Sequence, residues 1–242
     1  MRVAIHQPNY VPWCGFFAKL RAADVLVLLD DAQMPRGRSY VSRAQVLGPD
    51  GPMWLTVPTH HAAHERILDV RLADAGFGRR HLATLRARYG RTPHFAEVFG
   101  LIEPIYAAVA AEPPAEPPDE QRLVTLNLRL LTALAAYLEL DRPLVRASAL
   151  GVPRQEGERG DDRLIALVRA VGGRVYLSGP GGERYQDPAK FAAAELALEL
   201  RRYQPVPYDQ GRPFVPGLSI LDPLFRLGRG AASLLRYPDG GD

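Results

Sequence analysis

The sequence is short of several things, and each shortage narrows what the chain is. A single cysteine, Cys14, in 242 residues leaves no partner for an internal disulfide and suits a reducing compartment. Lysine is nearly missing: Lys19 and Lys190 are the only two among 30 basic residues, and the rest are arginine. A net charge of +3 is too small to signal a polyanionic partner. No run of aromatics is interleaved with arginine, so the pattern of a nucleic-acid binder is missing. No apolar window reaches membrane-crossing length, and the opening residues lack the basic, apolar, small-residue order of a secretory signal. The expected setting is cytoplasmic, with no membrane and no nucleic acid as partner. Neither a Walker loop nor a dinucleotide fingerprint is present, so the chain shows no means of activating an acid with a nucleotide.

What is present is enough for a large core: 47% of the residues are apolar. Residues 3–5 form a short apolar run that reads as a strand ending at His6, and the apolar spacing over 15–21 predicts a helix after it. The run 24–29 is continuously apolar after Asp24 and closed by Asp30 and Asp31, as in a strand buried on both faces. Strand, helix and strand together make a βαβ crossover with parallel strands. His6 and Asp30 then end neighbouring strands at one carboxyl edge, where open α/β sheets bind ligands. Pro12 suits a first helical turn, which places Cys14 at the positive end of the helix dipole and favours a thiolate. A nucleophile, a base and an orienting carboxylate thus meet at one edge.

Further along, residues 40–47 and 53–58 flank Gly48-Pro49-Asp50-Gly51, a hairpin signal, so the expected sheet is mixed. His60, His61, His64 and Glu65 have metal-like spacing but follow Pro58 with no amphipathic helix, and no metal site is assigned. Residues 67–72 read as a strand. Helices are predicted over 77–89, from about 93 to 111, and over 123–138, with a proline-rich spacer at 112–118. They form a helical insertion at about 76–140 within a single α/β domain spanning 1–242. A strand at 144–147, a helix at 161–171 and a strand at 174–177 resume the frame. The glycine-rich turn 178–182 allows close approach to the backbone. Residues 196–202 read as a strand and 203–216 as a proline-rich surface run. Asp222 is the expected N-cap of a last helix, with Pro223 at its first position.

Four stretches together carry a resemblance: Ile5-His6-Gln7-Pro8-Asn9-Tyr10-x-Pro12-Trp13, Asp30-Asp31-x-Gln33, Trp54-Leu55-Thr56-Val57-Pro58 and Ser219-Ile220-Leu221-Asp222. The chain resembles the WbqC-like protein family, associated mainly with bacterial surface-polysaccharide and natural-product gene clusters. Position 14 is apolar in the family pattern, and the cysteine there points to a subgroup. In it the sequence looks like the condensing enzymes of lincosamide antibiotic biosynthesis, of the celesticetin and lincomycin type. That resemblance implies an amide-forming acyltransferase with a cysteine-protease-like site. It takes an aminoacyl group from a peptidyl carrier protein and gives it to the amine of an amino sugar. No cofactor is bound; the phosphopantetheine thioester belongs to the carrier.

On this reading Cys14 forms the acyl-enzyme, His6 is the base, and Asp30 or Asp31 holds the imidazole, with His94 and His60 next in line as bases. Gln7, Asn9, Tyr10, Gln33 and Arg38 are candidates for substrate binding. Arg79, Arg80 and Arg86 offer a basic helix face to the acidic helices of a carrier. Two alternatives stand beside it: a polysaccharide-assembly transferase using His6 with Asp30 and Asp31 but no covalent cysteine, and a non-catalytic protein that binds a sugar or a carrier.

Overall fold

The elements run β1 (Arg2–His6), α1 (Cys14–Ala22), β2 (Val25–Leu28), β3 (Arg43–Leu47), β4 (Pro52–Thr56), β5 (Thr59–His60), β6 (Arg71–Leu72), α2 (Phe77–Tyr89), α3 (Phe95–Val109), α4 (Leu123–Tyr137), β7 (Leu144–Arg146), α5 (Gly160–Ala170), β8 (Val175–Ser178), α6 (Pro188–Ala193), β9 (Ala197–Leu200) and α7 (Leu221–Leu227). They are seen in a computed structural model that describes residues 1–37, 39–74, 76–109, 122–154, 157–158 and 160–238.

The apolar runs of β1, β2 and β8 do what their composition requires, which is to bury both faces of a parallel sheet. The sheet order is β7-β2-β1-β8-β9, every pairing is parallel, and β1, α1 and β2 make the expected βαβ start. Side chains alternate between two cores. Val3, Ile5, Val25, Val27 and Tyr176 pack with Leu167 and Val168 of α5 and Phe191 of α6. Ala4, Leu26, Leu28 and Leu177 face Phe16, Phe17 and Leu20 of α1 and the apolar sides of α2, α3 and α4. The parallel and antiparallel pairings of an α/β arrangement are both present but divided. The hairpin β3–β4 stands as its own two-stranded sheet, joined to the rest through the second core.

Some local expectations shift. Residues 67–72 form a tight turn at Ile67–Asp69 and only a two-residue strand, β6. Asp222 does not cap α7, which begins a residue before it; its carboxylate accepts from Tyr89 (2.8 Å), Tyr208 (2.7 Å) and Arg226 (3.2 Å) instead. The proline-rich run 203–216 has no regular structure, yet it is no loose surface segment, because Tyr203 packs edge-on against Trp13 and Gln210 is buried. The end of the helix expected to reach 111, the spacer 112–118 and the start of the next helix lie outside the described residues.

The loop from β1 to α1 is pinned from every side. Asn127 of α4, fully buried, donates from its amide nitrogen to the carbonyls of Pro8 and Val41, each at 2.8 Å. The Tyr10 N–H donates to the Tyr40 carbonyl (2.9 Å), and the Tyr10 hydroxyl joins His81 (2.8 Å) and the Tyr106 hydroxyl in the core. Ser219 donates its hydroxyl to the Val11 carbonyl (2.6 Å), and the Ile220 N–H donates to the Pro12 carbonyl (2.8 Å). Val11 needs this support. Its φ of 31° lies in the left-handed region that β-branched residues avoid, at a cost of about 1–3 kcal/mol. Replacing Asn127 by leucine strands two buried carbonyls, and we expect a loss of about 2–3 kcal/mol, measured as a lower urea midpoint at unchanged slope.

Candidate active site

The sheet order places a topological switch between β1 and β8. The chain moves from β1 through β2 to β7 on one side and returns to build β8 and β9 on the other. The register shows how this opens a site. β1 pairs with β2 as far as His6 and Leu28, but with β8 only as far as Ala4 and Leu177. Beyond that point β1 and β8 part, and a cleft of about 510 Å³ opens. Ligands in open α/β sheets bind at such places. His6, Gln7, Lys19, Tyr176, Gln186 and Arg201 contribute polar groups to the cleft, the glycine-rich turn 179–182 lines one side, and Trp13, Tyr203 and Tyr237 form an aromatic wall. Gly15 makes that wall possible, since a Cβ there would stand 2.5 Å from the Trp13 ring.

His6 is held as an unprotonated imidazole. Its Nδ1 lies 2.9 Å from the Gln7 carbonyl, which can only accept, so Nδ1 carries the proton and Nε2 is the free base. Burial lowers its pKa to about 4, the charge of Lys19 adds to that, and the Gln7 bond opposes it. The ring edge packs on Phe16, with centroids 5.0 Å apart.

Lys19 is the residue that sequence reasoning missed. It sits on the buried side of α1 with an exposure of 8%, and its Nζ donates to the Ile5 carbonyl at 3.2 Å, an acceptor freed where β1 leaves β8. Burial lowers its pKa to about 8. The signal was available: one of only two lysines, set in Phe16-Phe17-Ala18-Lys19-Leu20 with apolar neighbours on both sides.

The expected catalytic group does not assemble. Cys14 does begin α1, but its thiol points away from the cleft into a small apolar crevice under Tyr203, Pro205, Val206 and Tyr208. Burial pushes the thiol up to about 12, the hydrogen bond with Tyr203 opposes this, and the nearby Asp222 charge adds to it. The helix dipole is outweighed, and the expected thiolate is replaced by a neutral thiol. Asp30 ends its strand as expected, but its buried carboxylate faces β7, accepting from Arg146 (2.7 Å) and from the Ser148 N–H (2.9 Å) and hydroxyl (2.6 Å). Asp31 pairs with Arg163 beside a second cavity of about 290 Å³. Neither aspartate orients His6, whose Nδ1 partner is the Gln7 carbonyl.

Of the other candidates, Gln7 lines the cleft, whereas Asn9 and Tyr10 are buried away from it, Tyr10 being spent on the loop's support. Gln33 is exposed and bridges Arg66, and Arg38 lies outside the described residues. His94 faces Glu97 (3.7 Å) and His60 is exposed in β5; neither lines the cleft. Arg79, Arg80 and Arg86 are exposed on α2 and also off the cleft, with Arg80 paired to Asp74 and Arg86 to Glu103 (3.4 Å). Among the described residues no group of three or more His, Cys, Asp or Glu side chains converges as metal ligands, and no helix is long and apolar enough to cross a membrane.

Two measurements check this electrostatic picture. Iodoacetamide at pH 8 should label native Cys14 far more slowly than the urea-unfolded chain, and Tyr203→Ala should speed the native reaction; equal native and unfolded rates would mean an exposed thiol of ordinary pKa. For Lys19, a folded pKa near 8 against 10.5 unfolded means that the fold disfavours the charged form. That cost is full below pH 8 and fades between pH 8 and 10.5. Lys19→Met should therefore stabilise the unliganded protein at pH 7, on the order of 2 kcal/mol, with the gain shrinking above pH 9 in urea titrations.

Comparison with known proteins agrees with the extent of this architecture. Residues 7–233 match the model of the WbqC-like protein family. The chain is also similar to the uncharacterized protein Rv1507c of Mycobacterium tuberculosis (strain ATCC 25618 / H37Rv), 30% identical over 247 aligned residues that cover 98% of each chain. The match begins at the loop after His6 and runs through α7, taking in most of the cleft lining and the loop's supports but not His6 or Tyr237, and the chain accordingly belongs to the WbqC-like protein family.

Proposed function

We propose that the protein is a transferase that forms an amide bond in the switch-point cleft. It takes an aminoacyl group from a peptidyl carrier protein thioester and gives it to the amine of an amino sugar, with His6 as general base. The observation that carries this reading is the imidazole itself, unprotonated at neutral pH, with its tautomer set by the Gln7 carbonyl and its side chain on the cleft wall. A base in that state can accept a proton without first losing one. The cations Lys19 and Arg201 share the cleft and disfavour a bound ammonium group, so the acceptor amine binds as the nucleophilic free base. The aromatic wall of Trp13, Tyr203 and Tyr237 offers faces on which a sugar ring can lie.

The reaction is direct aminolysis. The amine nitrogen attacks the thioester carbonyl carbon while Nε2 of His6 takes the amine proton; the carbonyl then re-forms, the C–S bond breaks, and the departing sulfur receives the proton from the imidazolium. Phosphopantetheine enters with the donor as part of the substrate. A Cys14 acyl-enzyme is not required, and the neutral thiol beneath Tyr203 argues against one in this conformation.

The test uses an aminoacyl N-acetylcysteamine thioester with a panel of amino sugars, reading amide by mass spectrometry and released thiol by absorbance. We expect amide from wild type, a fall in kcat/KM of about 10²–10⁴-fold in His6→Ala, and turnover close to wild type in Cys14→Ala. Intact mass should show no acyl adduct. An adduct on wild type together with an inactive Cys14→Ala would restore the covalent route, and no amide with any pair would overturn acyl transfer.

A further inference from the structure

The charge on the walls of the cleft is one-sided. Lys19 and Arg201 are the charged side chains that line it, and among the described lining residues there is no aspartate or glutamate. Arg201 is answered from outside the cleft, its Nε donating to Glu199 at 2.6 Å. Among the described residues no carboxylate answers Lys19. Its Nζ meets the Ile5 carbonyl at 3.2 Å and lies 6.0 Å from the centre of the Tyr176 ring, and no ion pair is made. Every other lysine or arginine in the described core that is as deeply buried has a carboxylate: Arg163, the comparable case, pairs with Asp31.

A buried cation without a counter-ion is costly, and proteins carry such a cost where a ligand removes it. The space beside it is large enough for a small molecule, and a donor suited to an anion's oxygens stands opposite at the end of β8: the Gln186 amide nitrogen, which gives one N–H to the Tyr176 hydroxyl (3.4 Å) and has a second, its amide oxygen being held by the Ser178 hydroxyl at 2.7 Å. The aromatic wall stands at the other side. We propose that the cleft binds an organic anion, a carboxylate or phosphate borne on a ring, with the anionic group against Lys19 and the ring against Trp13, Tyr203 and Tyr237. This concerns what the cleft holds and does not rest on which group is transferred.

The two lysines make the test clean. Protein labelled with ¹³C at lysine Cε gives one resonance for Lys19 and one for Lys190, and Lys190, paired with Asp162 at 2.8 Å, is the internal control. Benzoate, phenyl phosphate and uncharged benzamide are titrated in turn. We expect one or both anions to shift the Lys19 resonance saturably and to move its titration to higher pH, with Lys190 unmoved and benzamide binding about tenfold or more weakly. Lys19→Met, checked for folding by its melting curve, should lose anion affinity to the same degree by calorimetry. Which anion binds tighter separates a carboxylate site from a phosphate site. Equal binding of benzamide and the anions, unchanged anion affinity in Lys19→Met, or no saturable shift with either anion would overturn the proposal; the wild-type comparison of benzoate with benzamide decides the matter even if the variant fails to fold. Failure to form an amide would leave it standing.

Discussion

The grip on the loop between β1 and α1 is the constraint on which the rest of the structure depends. Its carbonyls at Pro8, Val11 and Pro12 are each taken by a donor from elsewhere: Asn127 of α4, the hydroxyl of Ser219 and the N–H of Ile220. Backbone groups this deep must be paired, so helices and tail distant in sequence are drawn onto the seven residues between His6 and Cys14. That convergence holds Val11 at a positive φ, turns Trp13 over the first turn of α1 against Gly15, and fixes His6 and Lys19 on one wall. Rigidity here is what makes a neutral imidazole and a buried ammonium coexist, since a looser loop would admit water and return both to their ordinary pKa values.

Much of this was legible in the sequence. Continuous apolar runs announced strands covered on both faces, and the βαβ start with His6 at a carboxyl edge followed from chain order alone. The family motifs were legible too, but they proved to be largely architectural. Ser219 and Ile220 serve the loop, Asp222 gathers Tyr89, Tyr208 and Arg226, and Tyr10 joins His81 and Tyr106.

What was not legible depended on direction and depth. Asp30 ends its strand where expected, yet whether its carboxylate meets His6 or Arg146 depends on which side of β2 the neighbours approach, and β7 brought Arg146 and Ser148. Cys14 is at a helix start as expected, but a dipole acts on a thiol weakly compared with exclusion from water. The segment doing the excluding, around Tyr203, has no pattern by which a reader could place it. Lys19 looked like a lysine on a short helix; only the early end of the β1–β8 pairing reveals the carbonyl it donates to and the space beside it.

The two sides of the cleft answer to different demands. Residues 6–19 are locked by the core, so a change there disturbs folding before it alters recognition. The opposite side, 179–186, hangs from the end of β8 by the Ser178–Gln186 and Gln186–Tyr176 bonds, the turn at Gly182 and an ion pair between Glu183 and Arg202, without the buried backbone grip of the other side. A chain of this build can therefore exchange that turn, lengthen it or recharge it while keeping its scaffold. The fold would diversify by rewriting one rim, so that proteins with the same locked loop need not share a ligand.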